Sequence, residues 1–576
     1  MPKETLVALL DDSVEKYGDR TAIIGIDEER WTYEQLGDKS RRVAGYLKEK
    51  RVEKGDRVAI ICDNKPVFVA ANTGVFRNGA ISVPIDQNLR PNDLLGDYLR
   101  LVEPKVVLAD EAYADKVRKY TDVPVILIPE ALNGNLMRED VGVTGEDVST
   151  ILFSSGTSAV SDRAFKAVML THDNIYSNVI ASRNLPRYIE DTRGVQGIYL
   201  AGLAKHWHSF EHMIQFAFLY AGAVMHFTDV MRFTKGSASK INPHYAIMVP
   251  KIANSIKERI EKEVAEKGEK ANRWFKWFLE QSNKYNFERI NNGHILPVQF
   301  IENLIGKKAV YKPINKGLEK MLGKNHPFLV GGSAPLPLEI QLFFYSIGLP
   351  IYQGYGLTET SPAISVNMPW AYRFGSSGKI FEGIEILIAD PDLLKQGIIQ
   401  EVIEGKSGVI LAKGRSVFKG YYKDEARTKS VFVGGWFNTE DKGHKEGEHL
   451  HVEGRIKRQI CNLDGNKYDA DTIESFCLGR GLEAIAVGEL CNKTGLLIVP
   501  SPEMKKQREK GEEIVLDSIC ASLSDSKVKV GYAFSRKNVA VIWDFDEHPT
   551  WRSGVMKLRT ELINQAYEPV IKRICN

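Results

Sequence analysis

The chain has 576 residues, room for three or four domain-sized units at roughly 100–200 residues each. With 43% hydrophobic and 26% charged residues it is an ordinary globular composition, which excludes a disordered, collagen-like or coiled-coil polymer. Lys+Arg 77 against Asp+Glu 74 leaves a net +3, too balanced over this length for a nucleic-acid footprint, so no nucleic-acid partner is expected.

The opening MPKETLVALLDDSVEKYGDR has no basic region leading into an apolar one, which argues against a signal peptide. The most membrane-like stretch, His212 to Phe227, is interrupted by Gln215. The expectation is a cytoplasmic chain, at most peripheral to a membrane, with its six cysteines reduced because none forms a CxxC pair.

Up to residue 150, helical patterns alternate with β-branched runs: Arg57 to Cys62, Lys105 to Asp110 and Val123 to Ile128. This alternation predicts α/β layers with a largely parallel sheet. Next comes a strand end, Ile151 to Phe153, followed by Ser154, Ser155, Gly156, Thr157, Ser158 and, after a gap, Lys166. Hydroxyls, a glycine and free N–H groups after a strand suit a polyphosphate, with a lysine to neutralise charge; alone, the same text also reads as a polar surface loop. It is not a P-loop: the only GK[ST] string is Gly405-Lys406-Ser407, and Gln400 stands where the first glycine belongs.

His208-Ser209-Phe210-Glu211-His212 fits H-x-x-E-H, in which two histidines one helical turn apart hold zinc beside a general base. A metallopeptidase is therefore a formal competitor. From about Asn254 to Asn325 the text reads as a long charged helix with an apolar stripe and then a lysine-rich stretch, an insertion between sheet elements. The lysines from Lys307 to Lys324 suit anionic lipid, though a solvated charged face is the commoner use. Tyr352 to Thr360 packs an aromatic ring, two glycines, hydroxyls and a carboxylate into one short segment. Tyr355 can stack on a purine, Thr358 can donate to a phosphate oxygen and Glu359 can hold Mg²⁺; a tight turn with a solvated glutamate is the plain alternative. From Gly375 short strands and glycine turns predict a β-rich subdomain, and after Gly454 to Ile460 comes a compact α+β stretch.

Together FSSGT…KAVMLTH (153–172), GGSAPLP (331–337), YQGYGLTET (352–360), GYYKDEART (420–428), GWFNTEDKG (435–443) and GRIKRQI (454–460) resemble the ordered motifs of the adenylate-forming ligases, a family of acyl-CoA synthetases, adenylation domains and luciferases. Within that family the charged insertion after Val249-Pro250-Lys251 most resembles bacterial long-chain fatty-acid–CoA ligases. The resemblance implies an α/β fold. A large body over residues 1–455 would comprise two doubly wound sheets, a helical insertion at about 254–325 and a β-rich subdomain at about 375–455, with a small mobile α+β lid over 456–576. The implied reaction joins a carboxylic acid, by this likeness a medium- or long-chain fatty acid, to ATP as acyl-adenylate with release of pyrophosphate; coenzyme A then displaces AMP. Transfer to a carrier-protein thiol, or adenylate binding without turnover, are the other readings. Neither the residues nor the resemblance indicates an oligomeric state.

By the same resemblance, Ser154, Ser155, Gly156, Thr157 and Ser158 with Lys166 cradle the β/γ-phosphates. Gly332, Ser333, Ala334 and Pro335 with Tyr355 hold adenine, and Gln353, Gly354 and Gly356 belong to the same nucleotide-binding turn. Thr358 contacts the α-phosphate and Glu359 binds Mg²⁺. Asp441 accepts from the ribose hydroxyls, and Arg455 braces ribose or phosphate. His208, in the family's HxFE text, lies by the acyl carboxylate, with Trp207 beside it at the acyl tunnel. Lys557 is the lid lysine expected at the phosphate during adenylation.

The sequence departs from the family in five places. Seven residues, Ala159 to Phe165, stand where the phosphate loop has three. The closing lysine motif reads Ser553-Gly554-Val555-Met556-Lys557, so Lys557 is displaced. Arg458 replaces the hinge Asp or Asn, Glu440 replaces the glycine before Asp441, and Val409 replaces a glutamate after Gly408.

Overall fold

The computed structural model describes residues 4–575 apart from 88–93, 140, 156–164, 204, 230–231, 234–235, 295–315, 333–334, 462–466, 489–492, 531 and 549–559. Two large sheets organise it. The first has seven strands in the order Gly420–Tyr421, Phe165–Thr171, Val148–Ser155, Ile81–Pro84, Arg57–Ile61, Val106–Ala109 and Val125–Leu127. From Val148–Ser155 onward the strands are parallel, and Val106–Ala109 is buried along its whole length, as expected where helices cover both faces. The β-branched runs legible in the sequence supply these central strands.

The second sheet has fourteen strands. Its parallel half runs Thr21–Ile24, Val224–Phe227, Ile198–Ala201, Tyr245–Met248, Phe328–Gly331 and Ile351–Gly356. Beyond Ile351–Gly356 the pairing turns antiparallel through Ala363–Val366, Lys379–Ile380, His449–Arg455, Trp436–Glu446, Gly408–Gly414 and Ile384–Ala389. The glycine-rich β region is thus continuous with the parallel sheet, and Ile351–Gly356 is the strand that joins them.

The stretch read as one long charged helix is two, Pro250–Ala265 and Glu269–Asn291. Gly268 separates them with φ 108°, a left-handed backbone that ends a helix. The predicted stripe is real within each: Ile252, Ile256, Ile260 and Val264 repeat every fourth residue and are buried with Phe275 and Phe278 against helix Leu338–Ser346. The following lysine-rich residues, up to 315, lie outside the described set.

The C-terminal stretch carries a sheet of Glu483–Val487, Gly495–Val499 and Val539–Val541 under helices Ala470–Gly479 and Glu512–Ser522, with a core of its own around Leu496, Ile498 and Ile519. Lys251 meets Glu483 at 3.0 Å and Arg480 meets Glu339 at 3.2 Å, tying it to the helical insertion and to helix Leu338–Ser346. Arg458, at the hinge position, reaches Asp471 at 2.5 Å and Glu474 at 2.6 Å. Among the described residues no helix is long and apolar enough to cross a membrane, and Cys62, Cys477 and Cys520 are free thiols.

Candidate active site

The site is built around the end of Ile351–Gly356. Through Gln353 this strand pairs in parallel with Phe328–Gly331, and from Gly354 it pairs antiparallel with Ala363–Val366, so the segment after it emerges where the parallel half of the sheet ends. Carboxyl ends of parallel strands are where α/β sheets bind ligands. A Cβ on Gly356 would stand 1.8 Å from the Pro362 carbonyl oxygen, so only glycine lets the two backbones pass. Thr358–Thr360 then forms a 3₁₀ turn, secured by the Leu357 N–H donating to Thr360 Oγ1 at 3.0 Å.

At one end of this turn lies Glu359, almost fully buried. The Tyr421 hydroxyl donates to its Oε1 at 2.9 Å, and Lys166 Nζ stands 3.7 Å from the same oxygen. Burial and the Glu359 charge push the Tyr421 hydroxyl far above its ordinary range, so it remains a donor. Lys166 also lies 5.4 Å over the Tyr421 ring. Its position follows from the ladder: Val148–Ser155 and Phe165–Thr171 are antiparallel neighbours with Ser154 opposite Lys166, so the lengthened segment connects two fixed strands. Arg427, from the GYYKDEART motif, donates to the Phe165 carbonyl at 3.2 Å, and Tyr98 stacks on Phe153 with centroids 3.7 Å apart. The lysine is therefore held from the base of the loop. Gly156, Thr157 and Ser158 lie outside the described residues, as does the Ser155 side chain.

At the other end, the Tyr355 hydroxyl donates to Asp441 Oδ2 at 2.6 Å, and Arg455 Nε lies 3.5 Å from Asp441 Oδ1. Asp441 and Arg455 are directly opposite on the hairpin Trp436–Glu446/His449–Arg455. Burial, then the Asp441 charge, raises the Tyr355 hydroxyl well above its usual range. Glu440, standing where the family has glycine, adopts φ 61°, the left-handed conformation that explains why glycine is usual there. The Gln353 side chain accepts from Gln341 Nε2 at 2.9 Å and its carbonyl accepts from Asn367 N–H at 2.8 Å, so Gln353 fixes the turn from behind. Gly332 leaves a clear approach: a Cβ there would meet only the Phe210 ring, at 3.9 Å. Ser333, Ala334 and Lys557 are outside the described residues; Pro335 follows at the surface.

The third wall is the start of helix Ser209–Tyr220. The Thr358 hydroxyl donates to Ser209 Oγ at 3.2 Å, bringing the turn against His208, whose Nδ1 accepts from the Phe210 N–H at 3.3 Å as the helix cap. The zinc reading of H-x-x-E-H is overturned here. His212 Nδ1 faces the His206 carbonyl at 3.3 Å and its Nε2 faces Thr150 at 3.4 Å, while Glu211 accepts from the Tyr199 hydroxyl at 2.7 Å and Gln215 at 3.1 Å. Among the described residues, no group of metal-ligating atoms includes His208, Glu211 or His212. Burial raises Glu211 to about 7 and lowers His212 to about 4, disfavouring the charged form of each, and both are held as polar scaffold by their hydrogen bonds. His206, whose ring centroid lies 3.9 Å from that of Phe68, is also lowered well below its usual range by burial.

The sequence did not single out Tyr421 or Ser209. Tyr421 sits in the quoted GYYKDEART motif, which was the available signal; Ser209 carried none, because its importance comes from Thr358, 149 positions away.

The turn therefore carries a buried carboxylate at one end and faces another at its other end, each with a tyrosine hydroxyl and a cation beside it. The chain belongs to the family of AMP-binding enzymes, whose family model matches residues 10–422. Its relatives include a long-chain-fatty-acid–[acyl-carrier-protein] ligase of Arabidopsis thaliana, AEE15, 25% identical over 98% of this chain and 85% of that protein. The long-chain-fatty-acid–CoA ligase FadD15 of Mycobacterium bovis is 23% identical over 91% of this chain and 89% of that one. Among solved structures, ATP-bound MatB from Rhodopseudomonas palustris superposes with TM-score 0.72 at 19% identity, covering 99% of this chain and 100% of MatB, which shows the shared fold.

Proposed function

We propose that this protein is an acid–thiol ligase that activates a medium- or long-chain fatty acid with ATP. The acid carboxylate attacks the α-phosphorus and the bond to pyrophosphate breaks; a thiol, coenzyme A in this reading, then attacks the acyl carbon and AMP leaves with the electron pair. The observation that carries the proposal is the convergence on one turn of Lys166, Tyr421 and Glu359 at one end and Tyr355, Asp441 and Arg455 at the other. Two anions must meet in such a reaction, and cations with preset donors offset their repulsion.

In this arrangement Asp441 accepts from the ribose hydroxyls while Tyr355 holds its other oxygen and presents a ring face to adenine. Lys166 and the Ser154 to Ser158 loop take the terminal phosphates, and the Thr358 hydroxyl takes an α-phosphate oxygen. Glu359 fits Mg²⁺, which characteristically takes one or two carboxylates and completes its shell with phosphates and water; bound there it would neutralise phosphate charge. His208, at the helix start against Thr358, lies on the acyl side. Residues 456–576 are the lid that brings Lys557 to the phosphate and later yields that space to the thiol.

Acid-dependent ATP–pyrophosphate exchange across a series of carboxylic acids tests this, with strongest exchange expected for fatty acids and AMP plus thioester expected on adding coenzyme A. A second reading, transfer to a carrier-protein thiol, is favoured by the likeness to the Arabidopsis carrier-protein ligase over 98% of the chain. Adenylate that persists with coenzyme A but is consumed by phosphopantetheinylated carrier protein selects that reading; no exchange with any acid leaves only an adenylate-binding role. Lys557→Ala should slow adenylation by about 10²–10³-fold yet spare thioester formation from synthetic acyl-adenylate, and loss of neither step would make Lys557 a solvent lysine.

A further inference from the structure

Along the hairpin that holds Asp441 and Arg455, the outer part of Trp436–Glu446/His449–Arg455 carries a second concentration of chemistry. His444 and His451 are directly opposite across the ladder, and their rings stack with centroids 4.7 Å apart at 8°. Glu446 lies two residues along the strand from His444, on the same face of the pleat. One ligand atom from each of His444, Glu446 and His451 falls within 4.8 Å of the others.

The hydrogen bonds at the far side of each ring decide what the near side can do. His444 Nδ1 is 2.9 Å from Glu453 Oε1, and His451 Nδ1 is 3.2 Å from the Gly375 carbonyl. Both partners are acceptors, so each Nδ1 carries the proton and, in a neutral imidazole, each Nε2 presents a lone pair. The two Nε2 atoms face the same carboxylate: His444 Nε2 is 3.8 Å from Glu446 Oε1 and His451 Nε2 is 3.6 Å from Glu446 Oε2. These separations are too long for hydrogen bonds, and among the described residues the buried His451 Nε2 has no hydrogen-bond partner. A cation placed among these two lone pairs and the carboxylate would be attracted by all three. Ligand atoms of a tetrahedral zinc site are about 3.4 Å apart, given Zn–N and Zn–O bonds of about 2.0–2.2 Å; here they lie within 4.8 Å of one another, so binding one ion draws them together and turns the stacked rings toward it. A histidine whose outer nitrogen donates to a carboxylate or carbonyl is also the usual second shell of a metal-bound imidazole.

Two neighbours bear on the site. Arg373 Nη2 forms an ion pair with Glu446 Oε2 at 3.1 Å and competes for that oxygen, leaving Oε1 as the ligand. Lys442 pairs with Glu453 Oε2 at 3.1 Å, on the far side of the His444 ring. His449 turns away, its Nε2 3.2 Å from the Ala371 carbonyl.

We infer that His444, His451 and Glu446 form a structural site for a divalent transition metal, with water completing the shell. Two imidazoles and one carboxylate select a borderline ion such as Zn²⁺ over Mg²⁺ or Ca²⁺. The ion would clamp the two strands whose inner ends hold Asp441 and Arg455, staking down the hairpin that meets the nucleoside.

The test uses the full-length, untagged protein equilibrated with micromolar Zn²⁺, dialysed and assayed for metal. One equivalent per chain is expected, together with the visible absorption of tetrahedral Co²⁺ on Co²⁺ loading. Glu446→Gln and His451→Gln should each weaken binding at least tenfold, their combination should abolish it, and His449→Gln should retain it. Chelator should lower the melting temperature of the wild type, and this readout stands even where a variant folds poorly. No retained metal in the wild type, equal retention in the double variant, or loss in His449→Gln equal to that in His451→Gln would each overturn the assignment.

Discussion

Around the turn at 352–360 each carboxylate faces a cation: Glu359 has Lys166 at 3.7 Å and Asp441 has Arg455 at 3.5 Å. Around 206–212, joined to the turn through the Thr358–Ser209 bond, His206, Glu211 and His212 are enclosed; His206 and Glu211 have no exposed surface. There burial drives Glu211 up to about 7 and His212 down to about 4, favouring the uncharged form of each. The difference teaches that a run of His and Glu in sequence becomes chemistry only where the fold leaves charge and access; enclosed, it becomes scaffold.

The sharpest way to break that contrast is Glu359→Gln. It keeps the shape of the turn and the Tyr421 contact but removes the anion, and adenylation should fall by about 10²–10³-fold, read by acid-dependent pyrophosphate exchange. Near-normal exchange from a folded variant would remove Glu359 from the machinery. Asp441→Ala deletes the acceptor for Tyr355 and the partner of Arg455, and should raise KM for ATP by about 10–100-fold, the scale of a charged hydrogen bond. Its effect on kcat at saturating ATP should be smaller. Tyr421→Phe removes one neutral donor to Glu359 and should slow adenylation by about 3–10-fold.

On the enclosed side, Glu211→Gln should leave kcat nearly unchanged but alter stability with pH. A carboxyl raised from 4.5 to about 7 stabilises the folded state fully below pH 4.5, and that contribution is lost as pH rises to about 7. Replacing it with glutamine should therefore raise stability relative to wild type by about 3 kcal/mol between pH 4.5 and 7, measured by denaturant unfolding. His212, lowered from 6.5 to about 4, acts oppositely: its contribution is present above pH 6.5 and is lost as pH falls to about 4.

Much of this was legible in the residues. The β-branched runs at Arg57–Ile61 and Val106–Ala109 gave buried parallel strands because such runs fit only a sheet covered on both faces. Gly356 and Glu359 were legible because a tight backbone approach and a lone carboxylate are written in consecutive residues. The rest required distance. Tyr421 meets Glu359 across 62 positions, and His444 finds His451 only through the register of a hairpin. The two-helix insertion turned on Gly268, a single residue in an otherwise continuous helical pattern, and the strand switch at Gly354 changes pairing partners without changing the local sequence.

Calorimetric titration with a non-hydrolysable acyl-sulfamoyl adenosine tests most directly whether the turn at 352–360 is the adenylate site. Wild type and Glu211→Gln should bind one equivalent with matching affinity, and Asp441→Ala should bind at least tenfold more weakly. Equal affinity in all three proteins, or no binding by the wild type, would contradict the account.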